Sequence, residues 1–319
     1  MKRIHTYPVI LAFFLTVAFA ACRREPLPEN GEVIRFSVGS AVSVDVRSKA
    51  NDLSTEEDFK GFHIALYGLN EAGILFDGKS GASELQYDNS DEKWKYTPLK
   101  YWDKNKTYDF RAVSPIGAVV QDGTAAKTGS VTARYGNYDL MVASNHGPTV
   151  MAPVTLEFKH AGAAVRFLFK KGADETQTVT VSHFEVKNVY AAGTVACTWN
   201  GTEDVLTPTP DPNSKQSVFA WDETPGDVRV LTSAYQNFDG WHYVVPQSLG
   251  NDTTVDLTFQ VDSGTAKTSY NASLVFPANS TWAPGKTYEY QINIERLTVG
   301  MAFTVSPWPE AVNGSYIIR

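Results

Sequence analysis

Cysteine is scarce. Only Cys22 and Cys197 occur in 319 residues. A disulfide framework is therefore excluded, and a buried core must hold the chain, which is long enough to build one. Histidine is also scarce, with His5, His63, His146, His160, His183 and His242 and no H-x-x-x-H or H-x-H pair. No C-x-x-C, EF-hand, P-loop or G-x-S-x-G pattern occurs, so no cofactor, metal or nucleophile is nominated. Positive charge is short: 28 Lys and Arg face 35 Asp and Glu, a net charge of −7. With no basic cluster beyond short pairs, no nucleic-acid partner is expected. No apolar run reaches the ~20 residues of a membrane-spanning helix. No segment sustains helical periodicity.

What is present begins with a basic head, MKRIH, followed by an apolar run from Val9 to Ala21. That is a secretory signal over residues 1–21. Small residues Ala20 and Ala21 precede Cys22, which resembles a bacterial lipoprotein signal with Cys22 as the lipidated residue. An ordinary cleaved signal followed by a stray cysteine is the alternative. Cys197, in GTVACTW, reads as a buried core thiol. RREPLPENG after Cys22 is a polar tether.

The fold then starts with alternation. Ile34, Phe36 and Val38 alternate with Arg35 and Ser37, and Val42, Val44 and Val46 with Ser43 and Asp45. Period two with β-branched residues means half-buried strands. Residues 48–59 and 121–136 read as loops. Further strands are expected at GFHIALYGLN, YDLMVAS, VTLEFKH, AAVRFLFKKG, TVTVSHFEVKNVY, VRVLTSAY, WHYVVPQ, TVDLTFQVDSG, ASLVFPAN and KTYEYQINIERL. Many short strands between turn signals predict an all-β fold of sandwiches. Two domains are expected, at 22–153 and 154–319, joined near His146–Pro153. The strand after Pro153 could belong to either half. His160, on the apolar face of VTLEFKH, reads as structural. The acidic stretches EEDF and YDNSDEK read as solvated surface, so no enzyme is expected. Exposed aromatics could alternatively make a surface carbohydrate-binding protein.

One pattern occurs twice. WDKNKTYDF (Trp102–Phe110) and WAPGKTYEY (Trp282–Tyr290) share W-x-x-x-K-T-Y-x-aromatic, 180 positions apart (282 minus 102). Two sandwiches of similar plan explain it: a Trp anchors a turn, a Lys faces out, and an aromatic strand enters the core. The strand-like segment between Glu32 and Arg47 could be a removable strand, since a sheet edge can accept a strand from a neighbour.

These pieces together resemble the fimbrillins of Bacteroidetes, the subunits of type V pili. The resemblance rests on the signal at Cys22, VDVRSKA, LKYWDKNKTYDFRAVSP, YDLMVAS, VTLEFKHAGAAVRFLF, VVPQ at 244–247, WAPGKTYEYQINI and the late strand ending at Trp308. It implies two transthyretin-like Greek-key β-sandwich domains in tandem. It implies a lipoprotein exported to the cell outer membrane, surface-exposed, and built into a fimbrium for cell adhesion. An arginine-specific protease would cut after Arg47, removing residues 22–47 with the core anchors Ile34, Phe36 and Val38. A strand from another fimbrial subunit would then fill the groove. The donor region would be the C-terminal segment, with Ser315, Tyr316, Ile317 and Ile318. Stalk and tip roles, and that of a non-polymerising anchor subunit, stay open.

Overall fold

The computed structural model describes residues 31–40, 59–79, 83–120, 130–295 and 298–307. Among these residues the regular secondary structure is almost all strand, with two three-residue 3-10 turns at Ile116–Ala118 and Pro212–Ser214 and Phe59 in helical conformation. The expected all-β sandwich architecture is present.

An eight-stranded sheet forms the first half. Its order runs from Phe36–Ser40 through Val154–His160, Met141–His146, Tyr108–Ser114, Ile64–Asn70 and Glu84–Asp88 to Lys93–Lys95, with Gly73–Asp77 also on Ile64–Asn70. Period two decides which side chains enter the core. Val154, Leu156, Phe158 and His160 are buried, while Thr155, Glu157 and Lys159 are exposed. The centre of this sheet is covered on both faces. Ile64 and Leu66 enter one core, and Ala65 and Tyr67 enter another on the reverse side.

The second half is a sandwich of two five-stranded sheets. In one, Ala163–Lys171 runs parallel to Lys286–Glu295, which pairs antiparallel with Thr298–Pro307. In the other, Thr178–Tyr190 and Thr254–Asp262 form the centre, with Lys267–Val275 at one edge. Between them Phe167, Phe169, Tyr290 and Ile292 meet Phe184, Val186, Leu257 and Phe259.

Sheet pairing moves the expected junction. Val154–His160 pairs with Met141–His146 and with the first strand, so it belongs to the first half. By sheet membership the halves divide between His160 and Ala163, one strand later than the expected 153/154. Nor are the halves merely strung together. Ser130–Arg134, in a stretch expected to be loop, pairs with Gly193–Trp199, which pairs with Asp204–Pro210. This three-stranded sheet covers the reverse side of the large sheet through Val131, Ala133, Val195 and Cys197. The expected strand VRVLTSAY shrinks to Arg229–Val230.

Candidate functional site: the first-strand slot

The segment from Glu32 to Ser40 lies at the edge of the large sheet and is clasped by two backbone tracks. At its start, Val33 bridges antiparallel to Tyr101. The Ile34 N–H donates to Lys100 O at 2.9 Å, and the Trp102 N–H donates to Glu32 O at 2.9 Å. Further on, the Val154 N–H donates to Arg35 O at 2.8 Å. From there Phe36–Ser40 runs parallel to Val154–Phe158, with Phe36 opposite Val154 and Val38 opposite Leu156. Among the described residues its other edge carries no partner strand.

Side chains supply the rest of the grip. Ile34, Phe36 and Val38 are 0%, 7% and 4% exposed. The Phe36 ring stands edge-on to three others: Phe76 at 5.8 Å, Tyr96 at 5.7 Å and Phe110 at 5.4 Å between centroids. Such edge-to-face pairs add to the area they bury. Tyr96 closes the site from above. Its hydroxyl donates to Ile34 O at 2.7 Å, and burial pushes its pKa up to about 12. The outward face is polar: the Ser37 hydroxyl donates to Thr155 Oγ1 at 3.3 Å, and Arg35 lies 3.7 Å from Glu32.

One glycine makes room for this aromatic pocket. A Cβ on Gly68 would lie 2.7 Å from Phe76 and 3.0 Å from Phe110. A glycine inside a strand commonly marks such a close approach, and that was the available signal in HIALYGLN. Nothing in the sequence pattern singled out Tyr96.

Ile34, Phe36 and Val38 are thus brought together in one slot. Cys22, Arg47, Ser315, Tyr316, Ile317 and Ile318 lie outside the described residues. His160 is a structural residue, buried with its Nδ1 2.8 Å from Asp139. The acidic stretch YDNSDEK is solvated: Asp88 and Asp91 each sit 2.8 Å from Lys95. Among the described aromatics only Tyr235 is exposed, at 38%, and Lys170 lies over its ring at 4.5 Å.

The repeated motif has one geometry. The Asp103 N–H donates to the Tyr108 hydroxyl at 2.6 Å, and the Ala283 N–H donates to the Tyr288 hydroxyl at 2.8 Å. In each copy the motif tyrosine ties down the residue after the tryptophan. Trp102 and Trp282 are both buried. The second copy adds a bond, because the Trp282 Nε1–H donates to the Tyr290 hydroxyl at 2.9 Å where the first copy has Phe110.

These features define an all-β tandem sandwich with two matching Trp–Tyr corners and an edge strand seated by its side chains. A family model described as fimbrillin-like matches residues 53–308, so the chain belongs to the fimbrillin-like family. Among solved structures it is similar to a fimbrial protein from Bacteroides vulgatus ATCC 8482. That match has 13% identity and a TM-score of 0.53, and covers 88% of this chain and 100% of the other. It is also similar to a proposed cell adhesion protein from Bacteroides uniformis ATCC 8492, at 17% identity and a TM-score of 0.49, covering 86% and 99%. No curated protein matches the chain.

Proposed function

We propose that this chain is a cell-adhesion subunit of a type V fimbria, made as a lipoprotein on Cys22 and assembled by protease-triggered strand exchange. The burial of Ile34, Phe36 and Val38 on an edge strand that, among the described residues, has a partner strand on one side only carries the reading. Each such side chain contributes about 1.5–3 kcal/mol when fully buried. Removing the strand uncovers Phe76, Tyr96 and Phe110, and an incoming strand restores both the ladder and the burial. Cutting after Arg47 by an arginine-specific protease frees residues 22–47. The C-terminal segment of the next subunit, the region ending Ser315–Ile318, supplies the replacement. The precursor is held at the outer membrane by its lipid, and the product is a surface-exposed fimbrium.

Two arginines lie between Glu32 and Ser48, and they are not equivalent as targets. The bond after Arg35 lies between the buried side chains of Ile34 and Phe36 and within the backbone clasp. A protease must unwind the strand to reach it, so cleavage there is held back by local stability.

The test is digestion of the full chain with an arginine-specific protease, read by intact mass and by sizing. Expected is loss of everything through Arg47, then oligomers. The variant Arg47→Ala should stay monomeric. A trimmed protein that remains monomeric at high concentration sinks the proposal.

A further inference from the structure

The bonds described for the first strand lie within residues 32–40, so a cut after Arg47 breaks none of them. Its buried anchors stay in place as well. Release is therefore a step separate from cleavage, and residues 96–102 are placed to control it. They follow the short strand Lys93–Lys95 and cross the edge of the first strand opposite Val154–His160. Ile34 turns its N–H and C=O to this strap, while Arg35 turns its C=O to Val154. Successive residues of a strand send their backbone groups to opposite edges, so the two tracks hold the strand from both sides.

One hydroxyl ties strap to strand. The Tyr96 O–H donates to Ile34 O at 2.7 Å and accepts from the Lys100 N–H at 3.3 Å. Lys100 O in turn accepts the Ile34 N–H at 2.9 Å. Strap and strand thus order each other. The ends of the strap are anchored: the Tyr96 ring stands edge-on to Phe76 at 5.0 Å between centroids, and Trp102 to Tyr108 at 4.7 Å. Its middle is not buried. Thr97, Pro98 and Leu99 are all exposed. A segment with anchored ends, an exposed middle and few buried contacts opens at lower cost than the sheet behind it.

We infer that residues 96–102 gate the first strand, with Tyr96 as the positioning residue. The cut strand stays seated until the strap opens, and strap opening sets the rate of exchange. The inference rests on the strand-exchange reading above and concerns its kinetics, whichever strand arrives next. The ladder to Val154–His160 peels from Ser40, the end nearer the cut, and the strap holds Glu32 and Ile34 to the last. A trimmed subunit therefore keeps Phe76 and Phe110 covered after cleavage, which limits aggregation through exposed core.

Two measurements test the gate. In the first, the full chain and its Tyr96→Phe variant are digested with an arginine-specific protease. Cutting is read by denatured mass and release of the cut peptide by native mass. The variant keeps the ring that packs on Phe36 and Phe76 and loses only the hydroxyl. Cutting should run equally in both proteins. Release should lag cutting in the parent and be about fivefold faster in the variant, the factor that one hydrogen bond sets. Release in step with cutting, or at one rate in both proteins, overturns the gate. Failure to cut after Arg47 counts against the strand-exchange reading instead. The second measurement uses uncut chain and decides the gate in either case. The Ile34 and Trp102 amides, which bond across the strap–strand boundary, should exchange together. Both should exchange about fivefold faster in Tyr96→Phe, with the Val255 and Leu257 amides of the other half unchanged. Unequal exchange of the pair, or no change in the variant, shows that the strap does not act as a gate.

Discussion

Tyr108 and Tyr288 show how much a single hydroxyl organises here. Each accepts the backbone N–H that follows a buried tryptophan. Tyr288→Phe leaves the Ala283 N–H without that acceptor and should cost about 1 kcal/mol, measured by urea unfolding. Gly68→Ala should cost about 1–3 kcal/mol, because its methyl would press on Phe76 and Phe110. The same variant should raise amide exchange along the first strand, since those rings seat Phe36. Cys197 is buried, and burial pushes its thiol up to about 12. It should resist thiol reagents at neutral pH until the protein is unfolded, which a labelling time course would show. The buried thiol was legible from its apolar neighbours. The hydroxyl acceptor roles were not, because they depend on where the chain turns after Trp102 and Trp282.

Strands carry the next set of consequences. Among the described residues the first strand has a partner strand on one side only. Phe36→Ala should destabilise it by about 3 kcal/mol and detach it before the rest unfolds, visible as early exchange of Ile34 to Val38. Another edge strand is blunted. Asp204–Pro210 carries Pro208 and Pro210, which cannot extend a ladder outward. Those prolines are also why the sequence pattern did not announce a strand there. On the outer face of the second half, Lys187 bridges Glu185 at 2.9 Å and Asp256 at 2.7 Å. Burial raises both carboxyls. Hydrogen bonds outweigh it and hold them below their ordinary 4.5 and 3.8, chiefly from Lys187 in each case. The two carboxylates raise Lys187 above 10.5. Folded-state carboxyl values below the unfolded ones give stability that is present above the ordinary carboxyl range. It is lost as pH falls through the depressed values. The raised lysine contributes fully below 10.5 and is lost as pH climbs through its folded value. Thermal midpoints should therefore fall at both extremes, and Lys187→Met should flatten the acid limb.

The two halves share a sheet and a core. Val131 and Ala133 come from the first half, Val195 and Cys197 from the second, and all cover the reverse side of the large sheet. At the rim, His146 stacks on Trp199 with ring centroids 3.8 Å apart. Its Nδ1 lies 2.8 Å from Asp109 and its Nε2 3.1 Å from Asp204. The Ser144 hydroxyl also donates to Asp204. A fragment ending at Gly162 would bare Ala65, Tyr67, Val113 and Val142 on one face. It should bind hydrophobic dyes and aggregate, while the full chain unfolds in a single calorimetric transition. Two resolved transitions would show that the shared sheet does not couple the halves.

Alternation in VTLEFKH and AAVRFLF, the paucity of cysteine and the twice-written Trp–Tyr motif determined by themselves an all-β, core-stabilised chain with two related halves. Those signals are local: period two is a property of a few neighbouring residues. They also marked Ile34, Phe36 and Val38 as one apolar face. Only the tertiary structure decided what that face meets. Parallel pairing with Val154–Phe158, the ring of Phe76, Tyr96 and Phe110, and the crossing of Ser130–Arg134 to Gly193–Trp199 all join residues far apart in the chain. Such pairings are set by the packing of whole sheets, which no short stretch of sequence encodes.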